Sequence, residues 1–260
     1  MDVFKRLYQY REFIKTNVKK DIRGKYKGSY LGVLWSFLNP LLQVVVYWIV
    51  FPYLLRGASI PNYLLYLVTG IVPWNYFITS VTGSTVAIKG NGPLLKKVYF
   101  PREILIISQI LSGLVNFFIS CLIVLLFAII TGAGISWHIV FVPLVALIQS
   151  LLSLGIGFIC GSINVYIQDL ENIVPFILNM AFYGTPILYS LEQFSSAGIL
   201  AKLVSMNPLT TIIYSYRDIF LYHQVPNFTN LSLVFLLAFV LCIIGLLVFK
   251  KLEKGFAEQL

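Results

Sequence analysis

Runs of about 20 or more apolar residues, parted by short polar breaks, occupy most of this chain. Each is long enough to carry a helix across the roughly 30 Å of a bilayer's hydrocarbon. The pattern predicts six membrane spans, over 31–55, 62–88, 104–131, 138–166, 172–191 and 229–249. Ahead of the first, Val3, Leu7, Tyr10, Ile14, Val18 and Ile22 recur at steps of three and four, while Lys5, Arg6, Arg11, Lys15, Lys19 and Lys20 fall mostly on other faces. That spacing predicts a basic amphipathic helix in the membrane interface, then a glycine-containing hinge from Asp21 to Tyr30. The expected fold class is an all-α polytopic membrane protein, one domain over 1–260, with residues 1–30 as its interface helix and hinge.

Interruptions inside the spans refine this picture. Asn39-Pro40 and Gln43 fall in the first span, and Pro175 and Gly184-Thr-Pro186 in the fifth. Proline there kinks a helix and frees carbonyls that need other partners. In the second span, Gly70 to Phe77 (GIVPWNYF) predicts a break facing protein or a cavity. Gln149, Ser153, Gly157 and Gly161 follow one another at steps of four in the fourth span, a stripe of mostly small residues suited to close helix packing. Gln168 to Glu171 is a tight turn. Residues 192–228 are too polar to span, yet hold apolar patches parted by Asn207-Pro208, which predicts short re-entrant or interfacial helices.

One polar break stands apart from the others. Residues 90–103, GNGPLLKKVYFPRE, open on a turn signal, hold one or two potential helical turns and reach Pro101 just before the next apolar run. Its basic character fits either an orientation loop or a docking element for a cytoplasmic partner. Of the 19 Lys and Arg residues, nine precede Tyr30, four lie between Lys89 and Arg102, and three lie in 250–254. With six spans, those 16 share one side, and Arg56, Lys202 and Arg217 share the other. The positive-inside rule then puts both termini and the 89–103 loop in the cytoplasm. The net charge of +9 accordingly reflects membrane sidedness, not a nucleic-acid groove. The charged first thirty residues also lack the pattern of a cleavable signal.

The candidate chemistry is sparse. No charged residue lies near the middle of a predicted span, which argues against ion- or proton-coupled transport. His138 and His223 sit at predicted helix ends without a paired acidic motif. Cys121, Cys160 and Cys242 lie in separate spans without metal-ligand spacing and read as packing residues, so no catalytic or metal residues are expected here. The chain has no phosphate-binding loop, so any nucleotide-driven step belongs to another polypeptide. Aromatic residues make up 15% of the sequence, more than interfacial belts alone require. Trp35, Tyr47, Trp74, Tyr76, Phe77, Tyr183 and Tyr189 gather at the interrupted helices, where each serves either as ordinary apolar packing or, by stacking on sugar faces, as lining of a glycan channel.

Three blocks carry a family resemblance. They are Asp21-Ile-Arg-Gly-Lys-Tyr-Lys-Gly-Ser-Tyr-Leu-Gly32 leading into Leu34-Trp35 and Leu38-Asn39-Pro40; Asn91 to Glu103; and Met206-Asn-Pro-Leu209 with Tyr216-Arg217. Together they resemble the membrane subunit of ABC-2-type exporters, in the polysaccharide, O-antigen and teichoic-acid branch, over nearly the whole chain. Gln168-Asp169 departs from the Arg-Asp pair of many relatives.

The resemblance implies a homodimer of six-span subunits in the bacterial cytoplasmic membrane, multi-pass, bound to two cytoplasmic ABC ATPase subunits. ATP and Mg would sit on those ATPases, with no cofactor in this chain. It also implies a coupling helix within 92–102, periplasmic re-entrant helices over 192–217, and a glycan on an undecaprenyl-pyrophosphate-type lipid as substrate. Leu94, Leu95, Val98, Tyr99 and Phe100 are expected to pack into a groove on the ATPase, with Lys96, Lys97 and Arg102 steering and registering that contact. Arg23, Lys25 and Lys27 are expected to attract the pyrophosphate at the cytoplasmic entrance. The alternatives are an ABC-2 exporter of a drug or small lipid, a membrane enzyme acting on lipid-linked sugars, and an ion-coupled flippase.

Overall fold

The computed structural model describes residues 8–26, 30, 34–54, 60–97, 100–192 and 198–259. They form helices α1 (Arg11–Tyr26), α2 (Trp35–Leu54), α3 (Tyr63–Gly90), α4 (Gly92–Lys97), α5 (Glu103–Ile130), α6 (Val142–Ile163), α7 (Leu170–Tyr183), α8 (Ile199–Met206), α9 (Pro208–Arg217), α10 (Phe228–Leu252) and α11 (Phe256–Gln259). A 3-10 turn, Trp137–Phe141, leads into α6, and a π turn, Asp218–Tyr222, extends α9.

Among the described residues, four helical stretches are long and apolar enough to cross a membrane: Tyr63–Gly90, Glu103–Ile130, Trp137–Ile163 and Phe228–Gly255. The first predicted span holds a shorter apolar stretch, Leu38–Phe51 in α2. The fifth is not one helix. Its 14-residue α7 covers only about 21 Å at 1.5 Å per residue. The helix stops because Pro186 lacks the N–H that would have bonded the carbonyl of Phe182. The hinge expected at 21–30 is also shorter, since α1 runs on to Tyr26 through Gly24. A lone glycine weakens a helix without ending it.

α3 is the centre of the bundle, packing against α2, α5, α6, α7 and α9. Every residue from Leu65 to Trp74 is buried, as expected of a stretch that is apolar on nearly every side. The break anticipated at Gly70 to Phe77 is absent: α3 runs unbroken through Pro73. The segment does face protein. The Gln149 amide on α6 donates to the Pro73 carbonyl at 2.8 Å, a buried bond that ties α6 to α3 at the proline turn.

The small-residue stripe of α6 sets how closely it meets α3. A methyl carbon on Gly161 would lie 2.6 Å from the Ser84 carbonyl oxygen, so only glycine permits this approach. On another face, Gly155 leaves room for the α10 backbone, 2.8 Å from where its own methyl would stand. α6 is thus held between α3 and α10 by close backbone approach, the device that replaces apolar driving force inside a bilayer. α1 lies along α5 and turns Tyr10, Phe13, Ile14, Asn17, Val18, Asp21 and Ile22 toward the protein, with Arg11, Lys15, Lys19 and Lys20 exposed.

Candidate functional site

The functional candidates gather at the two ends of the bundle. At the basic end, the Asn91 side chain donates to the Ala87 carbonyl and closes α3, and the Asn91 carbonyl accepts from the backbone N–H groups of Leu94 and Leu95. α4 therefore starts at once. Its Lys96 and Lys97 are exposed, while Leu94 and Leu95 rest half-buried on a small apolar cluster of Ala87, Ile88, Leu105, Phe249 and Phe256.

Phe100 does not face outward. It is buried, with its ring 4.7 Å from that of Phe13 on α1, so the apolar drive that was to seat it on a partner is satisfied within the chain. Val98, Tyr99 and Lys27 lie outside the described residues. Arg23 and Lys25 fall on α1.

Three polar links bind the 89–103 break to its neighbours at this end. The Lys89 ammonium reaches Gln168 Oε1 and Glu171 Oε2, each at 3.2 Å, and so ties α3 to the turn before α7. Arg102 donates to the Glu253 carbonyl at 2.7 Å and sits over the Phe256 ring. Lys250 on α10 holds both Glu103 and Glu253 at 2.9 Å, and Glu103 is only 1% exposed. A buried carboxylate needs such a partner, because desolvation without one costs several kcal/mol. The sequence shows these charges but not their pairing, since the partners lie 147 and 82 residues apart.

At the opposite end, residues 184–190 form a non-helical strap with polar groups pinned from outside. Arg217 donates to the carbonyls of Pro186 at 2.7 Å and Ile187 at 3.0 Å. The Tyr63 and Tyr66 hydroxyls donate to the carbonyls of Leu188 at 2.9 Å and Tyr189 at 2.7 Å. The Tyr214 hydroxyl accepts from the Leu191 N–H at 3.0 Å. Asn207 caps α9 through its Oδ1 and gives its amide to Thr185, so the Asn-Pro pair both starts α9 and holds the strap. Irregular backbone packed inside protein needs partners for its polar groups, and these contacts supply them.

The aromatic residues expected along a channel divide sharply. Trp74, Tyr76 and Phe77 are buried in the core of the protomer: Trp74 packs on Phe182, and Tyr76 on Phe117 while its hydroxyl meets Ser150 at 2.7 Å. Because α3 is central, these rings serve as core within this chain. Tyr47 is half-buried against Phe51 and Phe182. Tyr189 is half-buried, and its hydroxyl donates to the Tyr183 carbonyl. Trp35 and Tyr183 are exposed.

Several helices long and apolar enough to cross a membrane, short helices α8 and α9 at one end and a basic, cross-linked break at the other make this an all-helical membrane protein. Residues 12–221 match the ABC-2 type transporter family, and this chain belongs to that family. Over 254 residues it is 35% identical to an O-antigen export system permease protein of Myxococcus xanthus, covering 98% of this chain and 97% of the relative. A Klebsiella pneumoniae protein of the same description is 34% identical over 93% of this chain and 92% of its own length. A polysialic acid transport protein of Escherichia coli is 22% identical over 91% of this chain and 92% of its own.

Proposed function

We propose that this chain is the membrane subunit of an ATP-driven exporter that carries a polysaccharide on a polyprenyl pyrophosphate carrier across the bacterial cytoplasmic membrane. The observation that carries the reading is its similarity, over nearly the full length of both chains, to O-antigen export permeases. It acts as a homodimer with two ATPase subunits, which hold ATP and Mg. The 16 clustered cations support placing the basic end in the cytoplasm.

α4 is the coupling helix of this reading. Lys96 and Lys97 project from it and steer the ATPase, with Leu94 and Leu95 at its edge. The load then passes into the bundle through fixed links: Phe100 to α1, Arg102 and Glu103 to the C-terminal segment, and Lys89 to the turn before α7. Arg23, Lys25 and Lys27 follow one another at the cytoplasmic entrance, where they attract the pyrophosphate.

The test pairs this chain with the ABC ATPase subunit that the reading requires. Co-purification, and ATPase stimulation by a lipid-linked glycan in vesicles, are expected for the wild type. Lys96→Glu with Lys97→Glu should weaken both at least about tenfold, because a like-charged or mismatched rim slows association and opposes docking. An intact complex with normal coupling in that double variant would defeat the docking role. Turnover of a lipid-linked sugar by this polypeptide alone, without ATP, would favour the enzyme reading instead.

A further inference from the structure

A cavity of about 650 Å³, lined mostly by polar residue types, lies between α1, α3, α5 and the start of α7, within the roughly 300–1,000 Å³ range of small-molecule sites. Its walls repeat one pattern on two neighbouring helices. Thr79, Thr82 and Gly83 on α3 stand at the spacing of Gln109, Ser112 and Gly113 on α5, and Asn116 follows one turn on. Each set occupies one face of a helix long and apolar enough to span the membrane. Hydroxyl and amide groups turned toward hydrocarbon carry a desolvation cost, so a shared polar face on two spanning helices calls for water or a polar ligand.

The lining selects among ligands. Val86 is the sole large apolar side chain among the described lining residues, which does not suit an acyl tail. Lys20 is the sole cation there, set against the carboxylates of Asp21 and Glu171, which does not suit a phosphate. What the cavity offers is acceptors. Thr79 and Thr82 spend their hydroxyl protons on the carbonyls of Asn75 and Ile78, at 2.6 and 2.7 Å, and leave oxygen lone pairs. Asn116 gives its amide to the Ser112 carbonyl, while its Oδ1 is buried and has no hydrogen-bond partner among the described residues. A ring carrying several hydroxyl donors meets this need. The cavity also reaches Gly24, between Arg23 and Lys25 on α1.

We propose that this cavity is a subsite for the neutral sugar that adjoins the carrier's pyrophosphate, seated by Thr79, Thr82, Gln109 and Asn116. The inference rests on the export reading above and adds to it where the first sugar is recognised. The subsite distinguishes a loaded carrier from an empty one.

The test measures binding of two labelled probes to the complete transporter in nanodiscs: a polyprenyl pyrophosphate bearing one N-acetylhexosamine, and the same lipid without sugar. Thr82→Val with Asn116→Leu keeps side-chain volume and removes acceptors. The double variant should lose about tenfold in affinity for the sugar-bearing lipid, as expected for two lost hydrogen bonds, and bind the bare lipid as the wild type does. No loss, or equal loss for both lipids, overturns the subsite while leaving the export reading intact. A wild type that binds neither lipid overturns both. Independently of that variant's folding, Thr82→Cys should be labelled by a small thiol reagent, and the sugar-bearing lipid should slow labelling several-fold more than the bare one. Equal protection by the two lipids, as would follow if a second copy of the chain covered the cavity, also overturns it.

Discussion

The guanidinium of Arg217 lies 3.4 Å from the ring centroid of Tyr66, and the two side chains together hold three backbone carbonyls of the strap: Arg217 those of Pro186 and Ile187, Tyr66 that of Tyr189. Arg217 is fully buried, without a carboxylate among the partners given by these contacts. Its charge is met by carbonyl dipoles and the faces of two tyrosines, Tyr66 and Tyr214. Arginine suits this position because its planar fork makes two bonds at once while stacking.

Replacing Arg217 by lysine should therefore be far from conservative. One ammonium cannot reproduce the fork over Tyr66, and a buried carbonyl is left unsatisfied. We expect a loss of roughly 2–3 kcal/mol for Arg217→Lys and more for Arg217→Ala. Thermal unfolding in detergent measures it, and an unchanged midpoint for Arg217→Ala would remove the strap's anchor from this account.

Close packing of α3 and α6 makes a second prediction. Gly161→Ala drives a methyl carbon to 2.6 Å from the Ser84 carbonyl, backbone that cannot move aside cheaply. A cost of about 1–3 kcal/mol is expected, seen as a lower unfolding midpoint. Gly90→Ala, which meets nothing within 4 Å, should be tolerated and serves as the control.

The Glu103–Lys250 pair should behave asymmetrically. Lys250→Met removes the cation from a carboxylate that is 1% exposed and should cost roughly 3 kcal/mol. Adding Glu103→Gln neutralises the carboxylate and should recover much of that loss. A double-mutant cycle on unfolding stability reads the coupling, and strict additivity of the two changes would show that the pair contributes nothing.

Asp21 gives a pH signature on the basic side of the bundle. Burial pushes its carboxyl above the ordinary aspartate value, with Lys20 opposing, while the Gln109 amide donates to Oδ2 at 2.8 Å. A raised acid pKa in the folded state means stability present below the unfolded value, about 3.9, and lost as pH rises through the folded value. Asp21→Asn keeps an acceptor for Gln109 and removes the titration. Its unfolding midpoint should match the wild type in acid and exceed it progressively toward neutrality; a difference that stays flat with pH would refute this.

How far the sequence alone reaches is visible in particular residues. Four of the six spans, the amphipathic face from Tyr10 to Ile22, the small-residue stripe of α6 and the short basic helix at 92–97 follow from local periodicity and turn chemistry. Such signals are complete within a few helical turns, and apolar transfer acts on each run regardless of its neighbours. The same holds for the grouping of 16 of the 19 cations.

The tertiary structure decided what depends on which helices meet. Gly161 beside Ser84 and Gly155 beside α10 place α3 at the centre, and that placement turns Trp74, Tyr76 and Phe77 into core. Phe100 finds Phe13, Glu103 finds Lys250, and Arg217 finds a strap thirty residues upstream, none of which a residue's own surroundings in the chain disclose. Burial of a charge or a ring is a property of the neighbours that close packing brings, and those neighbours are chosen by shape across the whole bundle.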